Sequence, residues 1–96
     1  MDKFGIREQV LSEIIHVAKE CEVGKIILFG SRARGDYKRT SDIDLAVQGG
    51  NIARFTLDME ETSTLLEFDV VDLDSSITKE LYQSIMTEGK VLYEKS

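Results

Sequence analysis

Gly30-Ser31-Arg32-Ala33-Arg34-Gly35-Asp36-Tyr37-Lys38-Arg39-Thr40-Ser41-Asp42-Ile43-Asp44 is the stretch on which the fold turns. Just before it, Ile26, Ile27, Leu28 and Phe29 form a short apolar run ended by Gly30, the pattern of a buried strand. Just after it begins, Ile43, Leu45 and Val47 alternate with Asp42, Asp44 and Ala46, the period of a second strand, which Gly49 and Gly50 close. Residues 31–35 read as a turn or short helix between the two. The short link favours an antiparallel pair. A Gly-Ser turn lets backbone approach an anion and present free N–H groups to it. Aspartates at i and i+2 of a strand point to one face, roughly 6–7 Å apart along the chain, and can share a Mg²⁺.

The flanking segments complete an alternating pattern. Apolar residues at Ile6, Val10, Ile14, Val17 and Cys21 mark one face of a helix over residues 3–22, widened by Leu11, Ile15 and Ala18 and stopped at Gly24. Residues 51–66 read as a further helix with Ile52, Phe55, Met59 and Leu66 inward, although Thr and Ser weaken it. Residues 68–73 read as a strand. Asp74, Ser75 and Ser76 offer N-caps for a last helix carrying Ile77, Leu81 and Ile85, which Gly89 ends before an edge strand at residues 91–93. The order predicts an α/β (α+β) domain over residues 1–96: a small mixed β-sheet with helices packed on it, its second and third strands parallel through a helical crossover.

Composition narrows the function. Ninety-six residues with 42% hydrophobic content allow one core and no separate acceptor-binding domain. A net charge of −6 argues against a nucleic-acid polymer as the main ligand, since such binding draws on clustered Lys and Arg. Arg32, Arg34, Lys38 and Arg39 nevertheless gather a third of the chain's twelve basic residues beside the carboxylates. Cys21 is alone and fits a small buried apolar role in a reducing compartment. His16 has no ligand set near it in sequence. No apolar run approaches a membrane span and the N-terminus lacks the regions of a signal peptide, which predicts a soluble, cytoplasmic protein.

A third carboxylate would allow two ions roughly 3.5–4 Å apart, the arrangement that steadies both attacking and leaving oxygens. Asp69 is the candidate. It starts the strand expected beside the Asp42–Asp44 strand, in an otherwise apolar setting where a lone carboxylate is costly. Asp72, three residues on, points the other way by strand alternation and suits a cap or a solvated end. Gly30 and Ser31 are the expected triphosphate cradle, with Arg32 and Arg34 able to fork onto phosphate oxygens and Ser41 counted with them.

At these residues the chain resembles the minimal nucleotidyltransferases, a branch of the DNA polymerase β-like superfamily. The pattern of that family is Gly-Ser, about ten residues, Asp-x-Asp, then a later Asp on a following strand, here Gly30-Ser31, Asp42-Ile43-Asp44 and Asp69. Many members carry a proline shortly before the aspartate pair, where this chain has Arg39 and Thr40, a difference confined to the loop. The resemblance implies transfer of AMP from ATP to a hydroxyl with release of pyrophosphate, two Mg²⁺ ions held by Asp42 and Asp44, and Asp69 binding one ion and helping to deprotonate the acceptor. It also implies a helical HEPN-type toxin as partner, this chain acting as antitoxin and modifying a tyrosine on that toxin. Two alternatives stay open: an antitoxin that only occludes its partner, and a transferase for a small aminoglycoside-like molecule, for which a homodimer could build the acceptor pocket at its interface.

Overall fold

The structure is a computed structural model that describes residues 3–95. Its elements follow the expected order: α1 (Glu8–Glu20), β1 (Lys25–Phe29), α2 (Ser31–Arg34), β2 (Ile43–Gln48), α3 (Ile52–Met59), β3 (Phe68–Asp72), α4 (Lys79–Glu88) and β4 (Lys90–Glu94). Among the described residues the strands form a four-stranded sheet in the order β3-β2-β1-β4. β1 pairs antiparallel with β2 and with β4, while β2 and β3 run parallel through the α3 crossover. The mixed sheet read from the sequence is therefore present.

The central strands are buried on both faces because their sequences are apolar at both parities. Ile26, Leu28, Ile43, Leu45 and Val47 face Val10, Ile14 and Ala18 of α1 and Phe55 and Met59 of α3. Ile27, Phe29 and Ala46 face the opposite side, where Ile85 of α4 packs with Val71, Leu73, Ile77 and Leu81. Asp44, two residues before Ala46, belongs to this α4 side of the sheet. Among the described residues no helix is long and apolar enough to cross a membrane.

Four element boundaries differ from the sequence reading, each for a local reason. The first helix starts at Glu8 because Phe4 and Gly5 take positive φ, 58° and 69°, and close a turn in which Lys3 and Ile6 exchange backbone hydrogen bonds. The same helix ends with Glu22, not Gly24, in the left-handed region at φ 58°, while Val23 N–H returns to the Ala18 carbonyl. The third helix stops at Met59 rather than near Leu66. Thr62 turns its hydroxyl onto the Met59 carbonyl, and Ser63 donates from both its N–H and its hydroxyl to Glu13 of α1, so side-chain bonds compete with the helix. Leu66 still reaches the core from the loop. The last helix is capped by Thr78, whose hydroxyl accepts from Leu81 N–H at 3.1 Å. The earlier candidate Asp74 is engaged elsewhere, its carboxylate accepting from Gly49 N–H at 2.7 Å.

Candidate active site

The site lies at the end of the sheet where β1 finishes and β2 and β3 begin, on the side covered by α4. Phe29 stands opposite Asp44 in the β1–β2 ladder, and Asp44 stands opposite Asp69 in the parallel β2–β3 ladder. Residues in register on neighbouring strands share a face, so Asp44 and Asp69 project to one side. Asp42 precedes the first residue of β2 and is exposed. Asp72 stands opposite Val47, and its carboxylate accepts from Asp74 N–H at 2.8 Å, which fixes the turn after β3.

Gly30 joins the turn to the carboxylates. It sits at φ +74°, ψ −156°, a region that essentially only glycine occupies, and a Cβ there would run into the Asp44 carboxylate, whose Cγ would be 3.1 Å away. Strand end and Asp44 can therefore approach this closely only through glycine. Ser31 begins α2 half-exposed, and the first turn of a helix leaves N–H groups without intrahelical acceptors. Burial pushes the Asp44 carboxyl above its ordinary value, and the charges of Asp69 and Asp42 push it further; Arg34 and Arg32 pull it partly back. Of the three carboxylates, Asp44 thus feels the charge of both others. They are not drawn into a ligating set: among the described residues no three His, Cys, Asp or Glu side chains stand close enough together to hold an ion. Asp69 is also exposed, because β3 is an edge strand, and not enclosed by the core as its apolar neighbours suggest.

Two basic residues read as phosphate ligands behave differently. Arg32 is corrected: it is 2% exposed, and its five N–H donors are all spent. Nε and Nη2 both donate to the Ser41 carbonyl at 3.1 and 2.7 Å, Nη2 also to Arg39, and Nη1 to the carbonyls of Phe4 and Gly5 at 3.1 Å each. Its guanidinium lies over the Tyr37 ring, 5.0 Å from the centroid. Nothing remains for a phosphate. Arg34 is half-exposed and near Asp44, with its Nε 3.4 Å from Asp36 and 3.6 Å from Glu88 at the end of α4. Ser41 uses its hydroxyl to accept from Lys38 N–H at 2.8 Å, tightening the loop before Asp42.

Comparison with known proteins gives the family of the chain. The polymerase beta nucleotidyltransferase family matches residues 12–96. The chain belongs to that family. It is 34% identical to a Methanocaldococcus jannaschii protein, provisionally named a protein adenylyltransferase, over 90% of this chain and 97% of the relative. It is 44% identical to the protein adenylyltransferase MntA of Shewanella oneidensis over 71% of this chain, and spans about half of that relative, 52%. A solved toxin–antitoxin structure with AMP-PNP superposes with a TM-score of 0.69 at 36% identity, covering 88% of this chain and 73% of that one. A variant of the MntA–HpeT toxin–antitoxin superposes with a TM-score of 0.68 at 34% identity, over the same shares of the two chains.

The residues of this nucleotidyltransferase fit a divalent ion in donor chemistry. Asp44 and Asp69 offer hard oxygens from one face, and the like charge that helps raise the Asp44 carboxyl is what a cation relieves. The sequence reading missed Phe4, Gly5 and Tyr37. Their part is visible only once Arg32 turns inward; Gly5 is again a place where a Cβ would meet neighbours, Tyr37 and, at 2.7 Å, Arg32 Nη1.

Proposed function

We propose that this nucleotidyltransferase moves AMP from ATP to a hydroxyl of a partner protein, as the antitoxin of a pair whose other member is a helical HEPN-type protein with a tyrosine as acceptor. The observation that carries the reading is the register pairing of Asp44 with Asp69, against a Gly30 whose missing Cβ makes room for the Asp44 carboxylate. Asp42 and Asp44 would hold Mg²⁺ with the triphosphate, and Asp69 would complete the set for a second ion. Bound there, the metal would neutralise charge on the phosphates and on the leaving pyrophosphate. Gly30 and Ser31 orient the triphosphate with backbone N–H groups and a hydroxyl. Asp69 accepts the acceptor's proton as its oxygen bonds to the α-phosphorus and the bond to the pyrophosphate oxygen breaks. Arg34 exchanges Asp36 and Glu88 for phosphate oxygens.

The test is transfer of labelled AMP to the co-expressed partner. Asp44→Asn and Asp69→Asn should each abolish it while circular dichroism stays native, and transfer at the wild-type rate by both would refute the reading. One observation favours a second reading, occlusion without catalysis: the three carboxylates are not gathered at ligating distance. An Asp44→Asn variant that still silences the partner would favour occlusion.

A further inference from the structure

Arg32 is the largest fully buried side chain among the described residues, and no carboxylate is among its hydrogen-bond partners. A buried charge with no carboxylate hydrogen-bonded to it is a poor way to fill space, since an apolar side chain of similar volume avoids the desolvation. The four acceptor carbonyls show what the charge does instead. Two carbonyls, Phe4 and Gly5, belong to the N-terminal turn; two, Arg39 and Ser41, belong to the loop that leads into β2. The Ser41 carbonyl receives two of the five bonds, and it lies in the peptide whose nitrogen is that of Asp42. One residue further on, Ile43 N–H makes a bond of 2.9 Å to the Glu67 carbonyl at the entry of β3. The backbone of Asp42, whose side chain is exposed and lies outside the strand, is therefore pinned on both sides.

We infer that Arg32 is a positioning residue for Asp42, fixing it relative to Asp44 through the Ser41–Asp42 peptide, with the N-terminal turn at residues 3–6 as the anchor against which it is held. The inference rests on the proposed metal role of Asp42. The planar fork is needed because its donors serve two separate backbone segments at once, on top of the Tyr37 ring. Lysine has three donors on a single atom and cannot span both.

Mn²⁺ binding with a non-hydrolysable ATP analogue, measured well below the melting temperature, tests this together with amide hydrogen exchange. In Arg32→Lys the Mn²⁺ dissociation constant should rise tenfold or more, and exchange should quicken at residues 39–42 and not in β1. Gly5→Ala keeps Arg32 but strains the turn at φ +69° and puts a Cβ 2.7 Å from Nη1, so it should reproduce both effects more weakly although residue 5 lies outside the carboxylate set; it also serves if Arg32→Lys does not fold. An Arg32→Lys protein that is folded and binds Mn²⁺ within twofold of wild type overturns the positioning role alone. So does a Gly5→Ala protein with quickened exchange and unchanged Mn²⁺ affinity. Wild-type protein that binds no Mn²⁺ overturns the metal reading as well, which separates the two failures.

Discussion

Replacing Asp44 by Asn should destroy the chemistry and stabilise the metal-free protein. Asp44 is half-buried, and its register partner on the adjacent strand is another aspartate. Neighbouring strands lie about 4.8 Å apart, and two unit charges about 5 Å apart repel by about 3 kcal/mol at an effective dielectric of 20 and about 0.8 kcal/mol in water. Asp69 is exposed, so solvent screening moves the figure towards the lower end, to about 1 kcal/mol with the weaker push from Asp42 included. The sign follows from the raised carboxyl. The folded protein holds the Asp44 proton more tightly than the unfolded chain, so stability is lost as pH climbs from the ordinary carboxylate range through the raised value, and above it the whole penalty stands. At pH 7 in EDTA, Asp44→Asn should therefore melt about 4–8 °C above wild type. At pH 3 the difference should close, because Asp44 is then neutral in both states. Differential scanning calorimetry at the two pH values reads both. A lower melting temperature for the variant at pH 7, or a gain that persists unchanged at pH 3, would refute the electrostatic account of the site.

Gly30→Ala should cost at least about 1–3 kcal/mol from backbone strain alone and lose nucleotide affinity, read by urea unfolding and by titration with an ATP analogue, because φ +74° and the Asp44 contact both exclude a Cβ. Ile85→Ala should cost about 2–5 kcal/mol, read by the same unfolding curve, since Ile85 is the fully buried residue by which α4 seals its side of the sheet. Thr78→Ala should cost about 1 kcal/mol through the lost cap and leave AMP transfer unchanged, which an assay of the purified variant checks. Mg²⁺ with ATP at a hundred times its dissociation constant should stabilise wild type by about 2.7 kcal/mol and Asp44→Asn by far less, reversing the order of melting temperatures seen in EDTA.

The parts of this molecule legible in the sequence are those set by local pattern. The apolar run before Gly30 and the alternation after Asp42 specify two strands, and the short link between them favours the antiparallel return that the structure has. That the Asp69 strand lies parallel beside the Asp44 strand was legible too, because a helix of ordinary length between β2 and β3 leaves a parallel neighbour as the simple arrangement; the register that sets Asp44 opposite Asp69 was not. What local pattern could not carry was the competition between backbone and side chains. Thr62 and Ser63 end α3 by bonds to Met59 and Glu13, the second of them to a residue fifty positions away. Arg32 illustrates the limit most directly. In the sequence it is one of four basic residues in a polar loop; in the structure its partners lie 27 and 28 residues upstream and seven and nine downstream, and only their convergence explains why a charge is inside.

That convergence also explains how so small a domain holds three acidic groups near one another. The repulsion at Asp44 favours any motion that separates the strand entries, and β3 is an edge strand with a neighbour on one side only. Opposing that motion are the Ile43–Glu67 bond, the two Arg32 bonds to Ser41, and the glycine that lets β1 end against Asp44. At about 1 kcal/mol net for a typical hydrogen bond, and about 1.5–3 kcal/mol where one partner is charged, the clamp on the Ser41 carbonyl is comparable to or larger than the repulsion it resists. The site should therefore loosen first where this clamp is cut, at residues 39–42, and not at β3, although β3 is the exposed edge. Hydrogen exchange in wild-type protein, compared below and above the pH at which the raised Asp44 carboxyl ionises, would show it: residues 39–42 should stay protected as Asp44 gains its charge, and protection lost there before Arg32 is altered would mean the repulsion wins.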